Sequence, residues 1–326
     1  MKCYFACNKG INESQEYLDM LEVTLNTAKV NTTLSLHFIY NGSETDKAYE
    51  IMQKYGVNVI FHQLTFEKEL KELYTPEYIK SRLGFAVDLG FIIGTFSRID
   101  IPVIETEDEY VLICGLDVMF LQDIKQETLP NPKYCAAAPD IAQDFNLASL
   151  GYKFFNADIM YINVKHMREK REQIIEMLKN KQPSKIDCFD QGYLNHVCEN
   201  DFDELAMEYN WKPYWGYNKN AKIVHLHLIK PGETYSDTPF IKNVLKTFPD
   251  CIKGCLYYYQ LFFEFLGKRS YLWIAERINS MVNTKIEAKT EDEIKRLRDK
   301  ARGKQRQIMI VGGVFVFLLC LAWYFK

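Results

Sequence analysis

Tyr110-Val-Leu-Ile-Cys114 is apolar almost throughout, and Gly115-Leu-Asp117 and a second apolar run from Val118 to Leu121 follow at once. A strand with one wet face would alternate, so a continuously apolar strand is one buried on both faces, in a sheet covered by helices on both sides. Gly115 breaks the strand, and Asp117 stands where the chain leaves its end. Open α/β sheets bind ligands outside the carboxyl ends of their strands. Asp117 is therefore a candidate metal ligand from its position alone.

The segments before this run fit such a sheet. Met1 to Cys7 predicts a strand. Glu13 to Val30 predicts a helix, with Tyr17, Leu21, Leu25 and Ala28 at helical spacing. Leu34 to Tyr40 predicts a strand closed by the turn Asn41-Gly42, Lys47 to Tyr55 a helix, and Val57 to Phe61 a strand. This βαβαβ order predicts an α/β chain with a mostly parallel, three-layer sheet. Further on, the pattern predicts helices over Phe66–Leu73, Phe85–Ile99 (interrupted by Gly90 and Gly94), Val164–Lys179 and Asp190–Cys198. It predicts strands over Lys133–Ala138, Asp158–Asn163 and Lys222–His227.

With 326 residues, 48% of them hydrophobic, the chain can bury a substantial core. A net charge of −3 argues against a protein built mainly to bind nucleic acid. The nine cysteines include no CxxC pair. Cys3/Cys7 and Cys251/Cys255 are four apart but lack neighbouring His or Cys partners, so they read as reduced, buried thiols facing a cytosolic environment.

The C-terminal part has its own organisation. A main domain over 1–250 is followed by an aromatic helical extension over 251–286, which would pack on the domain or a membrane surface, and a charged stalk over 287–307. Ile308 to Phe325 carries no charge and has about the length of a membrane-spanning helix, with Trp323 and Tyr324 as interfacial aromatics. Lys295, Arg296, Arg298, Lys300, Arg302, Lys304 and Arg306 precede it, and only Lys326 follows. The positive-inside tendency then predicts a single-pass, tail-anchored membrane protein with its main domain in the cytoplasm. The sequons at Asn12, Asn31 and Asn41 would be unused in that topology.

Five local patterns recur in a known order. Phe96-Ser-Arg98-Ile-Asp-Ile-Pro102 leads into the Tyr110 strand, and Gly115-Leu-Asp117-Val ends it. Phe154-Phe-Asn156-Ala-Asp-Ile-Met-Tyr-Ile-Asn163 comes next, then Asp190-Gln191-Gly-Tyr-Leu-Asn195, then Ile223-Val-His225-Leu-His227-Leu-Ile-Lys230-Pro231-Gly232. Together, over about residues 1 to 235, they resemble the family-8 retaining glycosyltransferases of the glycogenin and lipopolysaccharide galactosyltransferase type. The family pattern runs "Y-x-R-L…I-P", "Y-L-D-x-D", "F-N-x-G-x-x-x-I-N", "D-Q-D-x-x-N" and "H-x-x-x-x-x-K-P-W". This chain differs from it in three places: Gly115 stands for the first aspartate of D-x-D, Gly192 for the third residue of D-Q-D, and Gly232 for the tryptophan. The His-to-Lys spacing is one residue shorter.

The resemblance implies a GT-A nucleotide-sugar transferase fold, a UDP-sugar donor, Mn2+ or Mg2+, and a saccharide, glycolipid or glycoprotein acceptor. It assigns Asp117 and His225 to the metal. Arg98, Asp117 and Lys230 go to the nucleotide diphosphate, with Cys7 and Asn8 at the end of the first strand. Asp190, Gln191 and Asn156 go to the transferred sugar and acceptor. The chemistry suits these residue types, because a departing diphosphate needs a cation and a lysine to stabilise its charge. His225 and His227 compete for the metal, since alternation puts both on one strand face; His225 is preferred. Taken singly, Asp117 and Asp190 are also ordinary capping residues, and the histidines ordinary strand residues. Gly115 also leaves open a second function: a catalytically inactive transferase fold that serves as a membrane-bound scaffold.

Overall fold

The computed structural model describes residues 1–83, 87–145, 153–186, 188–228, 230–231 and 239–267, with short pieces between 281 and 299. The strands are β1 (Lys2–Asn8), β2 (Ser35–Asn41), β3 (Asn58–Phe61), β4 (Tyr110–Cys114), β5 (Val118–Phe120), β6 (Cys135–Pro139), β7 (Phe155–Asn163), β8 (Phe202–Glu204) and β9 (Ile223–His225). The helices are α1 (Gln15–Asn31), α2 (Lys47–Lys54), α3 (Glu67–Leu73), α4 (Pro76–Leu83), α5 (Leu89–Phe96), α6 (Ile101–Ile104), α7 (Val164–Lys179), α8 (Phe189–Val197), α9 (Pro239–Thr247) and α10 (Cys251–Phe265).

Seven strands form one sheet in the order β3-β2-β1-β4-β7-β6-β8. β1 to β4 are mutually parallel, β7 is antiparallel to both β4 and β6, and β6 and β8 are parallel. Only β7 therefore runs against the rest. Val111 to Cys114 of β4 are fully buried, as the apolar run requires. Helices cover both faces. α3, α5, α7 and α8 bury Leu70, Ile92, Ile174 and Leu194 on one side. α1 and α2 bury Leu18, Leu21, Leu25 and Met52 on the other. β1 serves both layers, with Tyr4 in the first cluster and Cys3 and Phe5 in the second. The expected three-layer α/β arrangement is present.

The strand expected over Lys222–His227 is β9, which stops at His225 and pairs with β5 in a separate two-stranded sheet. Gly90 and Gly94 lie within α5 and do not break it. The aromatic segment after Cys251 is α10. Its Tyr258, Tyr259 and Phe262 are buried in a third cluster with Met20 and Val23 of α1, Trp211, Trp215 and Val224. Residues 271–274 and 308–325, and most of the stalk, lie outside the described residues. Among the described residues, no helix is long and apolar enough to cross a membrane.

The topology locates the site. β1 leads to β2 on one side, whereas the chain after β3 crosses to place β4 on the other side of β1. That reversal opens a crevice at the carboxyl ends of β1 and β4. Because β7 is antiparallel to β4, its first residues, Phe155 to Asp158, arrive at the same crevice.

Candidate active site

A cavity of about 790 Å³ occupies this crevice, within the range of small-ligand sites. Cys7, Asn8, Arg98, Asp117, Asn156, Asp190, Gln191 and Lys230 all line it. Of the residues expected from the sequence, His225 alone is not in the wall; it is fully buried, against Asp117.

Asp117 is set in place by its backbone. Thr24 of α1 puts Oγ1 2.7 Å from the carbonyl oxygens of both Leu116 and Val118, and Leu226 N donates to Asp117 O at 2.8 Å. The loop is thus clamped between α1 and the chain just past β9. The Asp117 carboxylate then meets Lys230 Nζ at 2.9 Å and His225 Nε2 at 3.4 Å, both through Oδ2. Burial works to raise the Asp117 carboxyl, but Lys230 and His225 outweigh it and hold the group well below the usual carboxylate range.

His225 and His227 have rings 4.9 Å apart but separate partners. His227 Nδ1 bonds the Tyr214 hydroxyl at 2.9 Å, and its Nε2 is 3.9 Å from Asp140. Burial lowers its basicity well below that of a free imidazole. His225 Nδ1 lies 3.1 Å from Asn210 Oδ1. As a donor there, it leaves the Nε2 lone pair facing Asp117 Oδ2 and, at 3.5 Å, Asp158 Oδ2. This nitrogen is buried without a hydrogen-bond partner.

An orphaned imidazole nitrogen facing carboxylate oxygens is the donor set that a hard divalent cation such as Mn2+ accepts. The residues present therefore fit the implied metal. They do not close into a ready-made cage of ligating groups among the described residues, and Lys230 and Arg98 neutralise the carboxylates as they stand.

Arg98 crosses the floor of the site. Nη2 meets Asp158 Oδ1 at 2.9 Å, Nε meets Asp190 Oδ2 at 3.2 Å, and Nη1 donates to Ala157 O at 2.7 Å. Burial opposes its charge, but Asp190 and Asp158 outweigh burial and keep it protonated. Asp190, in the first turn of α8, is nearly buried. Burial, only partly offset by Arg98, pushes its carboxyl up to about 6.

Asn156 and Gln191 are held mainly by the protein itself. Gln191 Oε1 accepts from Ala157 N at 2.8 Å and from Asn156 Nδ2 at 3.1 Å. Asn156 Nδ2 also donates to Asp140, and Asn156 Oδ1 accepts from Asn210 Nδ2 at 2.8 Å. These amides form a buried network that ends on His225. Asn8 is engaged at both ends as well: Oδ1 accepts from Gly10 N at 3.0 Å and Nδ2 donates to Gly90 O. Burial pushes the Cys7 thiol up, so it lines the cavity as a neutral group.

No protein-family model matches the chain, and no curated protein matches its sequence. Solved structures do. Galactosyltransferase LgtC, in complex with donor and acceptor sugar analogs, is 16% identical with a TM-score of 0.53, over 84% of this chain and 99% of LgtC. The chain has the fold of LgtC. An active-site mutant of LgtC gives a TM-score of 0.56 at 15% identity, over the same shares. The glycosyltransferase GlyE of Streptococcus pneumoniae TIGR4 gives 0.51 at 17% identity, over 86% of this chain and 63% of GlyE. The resemblance read from the motif order is thus met by the fold, in a divergent sequence.

Within this fold, one departure from the motif pattern has a steric cause. A β-carbon on Gly192 would lie 2.1 Å from Ile186 O and 2.7 Å from Ser184 Oγ. The acidic third residue of D-Q-D has no room in α8, because the 184–186 segment packs against it. Two residues of the site were not singled out from the sequence. Asn210 carries no motif signal. Asp158 did leave one: it stands where the pattern F-N-x-G has glycine.

Proposed function

We propose that this chain is a glycosyltransferase that moves a hexose or N-acetylhexosamine from a UDP-sugar to a saccharide, glycolipid or glycoprotein acceptor, with retention. The observation that carries the reading is the convergence of Asp117, Lys230 and Arg98 in one cavity at the carboxyl ends of β1 and β4, with His225 buried behind Asp117. The nucleotide would run past Cys7 and Asn8, with its diphosphate against Lys230. Asp117 and His225 would hold Mn2+ or Mg2+, which when bound supplies positive charge to the departing diphosphate. Lys230 is five residues from His225 and reaches the same place as a second cation.

In the step itself, the bond between the anomeric carbon and the diphosphate oxygen breaks and its electron pair leaves with UDP. The acceptor hydroxyl oxygen bonds to the same face of that carbon, and its proton passes to the departing phosphate oxygen. The protein's part is charge stabilisation and orientation. Asp190 faces this space next to Arg98, and Gln191 and Asn156 hold the wall behind it.

We further propose a tail anchor at 308–325, with the catalytic domain in the cytoplasm and an acceptor near the membrane. Removing 308–326 should move the protein from the membrane to the soluble fraction. Sugar on Asn12 or Asn31 in a eukaryotic cell would instead place the domain on the lumenal side.

The test of the activity is UDP release from UDP-glucose, UDP-galactose and UDP-N-acetylglucosamine, with and without Mn2+. The missing carboxylate at Gly115 favours one rival, an inactive transferase fold acting as a scaffold. The absence of both UDP release and a thermal shift with UDP would decide for that rival.

A further inference from the structure

Gly115 and Asp158 are neighbours across the antiparallel pair of β4 and β7. Cys114 pairs with Ile159, and one step on, Gly115 N donates to Asp158 O at 2.7 Å. Side chains of directly opposed residues on such strands leave the sheet on one face, with β-carbons about 4.5–5.5 Å apart. A carboxylate at either position can therefore reach much the same point. Here one member of the pair has no side chain. A β-carbon on residue 115 would lie 3.1 Å from Asp158 Oδ1 and 3.0 Å from Asp117 Oδ1. The Asp158 carboxylate thus stands in the space that a side chain at 115 would enter.

The other oxygen of Asp158 lies 3.5 Å from His225 Nε2, and Asp117 Oδ2 is 3.4 Å from the same nitrogen. That nitrogen is fully buried and has no hydrogen-bond partner. Its tautomer is set by Asn210 on the opposite side of the ring. Two carboxylate oxygens, one from Asp117 and one from Asp158, therefore lie within 3.5 Å of the same imidazole nitrogen, though among the described residues they do not yet close into a ready-made metal cage.

We infer that Asp158 supplies, from β7, the metal-binding carboxylate that position 115 lacks, so that the cation is held by Asp117, Asp158 and His225. The inference rests on the reading given under Proposed function and completes its metal site. The carboxylate is moved across one rung of the sheet: glycine on β4 and aspartate on β7, in place of aspartate on β4 and glycine on β7. The exchange keeps the carboxylate near the same point because opposed residues share a face. It also explains why both substitutions occur together: an aspartate at 115 beside Asp158 would crowd a third carboxylate against two.

Asp158 has one other visible duty, its ion pair with Arg98 at 2.9 Å. The two roles separate in a metal titration. The full-length protein is titrated with Mn2+, and the free ion is followed by its electron paramagnetic resonance signal. The variants are Asp158→Gly, Asp158→Asn, Gly115→Asp and the exchange Gly115→Asp/Asp158→Gly, with circular dichroism confirming that each is folded. A residue that only steadies a metal ligand is worth about 10–100-fold in affinity, so losing a direct ligand should weaken Mn2+ binding at least about tenfold. We expect that loss in both Asp158 variants and in Gly115→Asp, and recovery of most of the affinity in the exchange. Asp158→Asn keeps an acceptor for Arg98, so it guards against a loss caused by the ion pair alone.

Unchanged Mn2+ binding in the Asp158 variants overturns the inference, and so does an exchange that binds no better than Asp158→Gly, or a wild-type chain that binds no Mn2+. UDP release and the UDP thermal shift of the wild type report separately on the transferase reading. If they persist while the cycle fails, the ligand assignment falls alone.

Discussion

Lys230 Nζ stands 2.9 Å from Asp117 Oδ2, so the lysine proposed to meet the diphosphate is paired with a carboxylate of the site. A donor diphosphate would draw Lys230 away and leave Asp117 to the metal. Lys230→Ala is therefore expected to lower kcat/KM for UDP release by about 10²-fold, the scale for losing one charge-stabilising group. Lys230→Arg should recover part of it, since charge is kept while the point geometry is lost. Steady-state UDP release checks both; an unaltered rate in Lys230→Ala removes the lysine from the mechanism.

Arg98, with 12% of its side chain exposed, lies between Asp158, 28% exposed, and the buried Asp190. Truncating one partner of a buried ionic group strands the others, at a cost of about 3–5 kcal/mol. Asp158 is partly exposed, so Arg98→Ala should lower stability by less than that, on the order of 1–4 kcal/mol, measured by denaturant unfolding. Loss of under about 1 kcal/mol, the value of a surface pair, would show that the two carboxylates find other compensation.

Asp190 gives a pH dependence of definite sign. Burial raises its carboxyl from the ordinary 3.8 to about 6, against the opposing pull of Arg98. The folded state therefore holds this proton more tightly than the unfolded chain. Stability from this group is full below pH 3.8 and is lost as pH rises through about 6. Asp190→Asn should raise stability at pH 7.5 by on the order of 1–3 kcal/mol, and bring no such gain at pH 4, while lowering the rate of transfer. Melting curves at the two pH values test this, and equal shifts at both would contradict it.

Asn210 links the buried amides to the proposed metal ligand His225 by holding its Nδ1 at 3.1 Å. Asn210→Ala should weaken Mn2+ binding by about 10–100-fold without removing any ligand. Calorimetric titration reads the change directly. Unchanged affinity would mean that packing alone orients the imidazole.

Gly192 tests the crowding in α8. Restoring the acidic residue of the family pattern, Gly192→Asp, forces a β-carbon to within 2.1 Å of Ile186 O. We expect a loss of about 1–3 kcal/mol or more from overpacking, read by thermal unfolding. A variant as stable as the parent would show that the 184–186 segment yields.

The alternation of β1 to β4 with their helices was legible because burial on both faces and helical spacing are local properties of a sequence. So was the Val164–Lys179 helix, whose expected limits are those of α7. β5, β8, α4, α6 and α9 were not singled out, being short and dependent on their neighbours. The place of Asp117 at a strand end was also legible, because a glycine following an apolar run marks where the chain leaves the sheet.

What local pattern does not carry is which strands lie side by side. That β7 runs antiparallel beside β4 is a long-range fact, and it alone brings Asp158 opposite Gly115. The choice between His225 and His227 had the same character. Alternation offered both, and it was Tyr214, Asp140 and Asn210, brought in from elsewhere, that gave each ring its partners. The amino-acid sequence by itself determined the layered α/β frame, the order of the motifs and the chemistry of their side chains. The tertiary structure decided which of those side chains share a point in space, because a ligand set is assembled across strands whose pairing depends on the packing of the whole sheet.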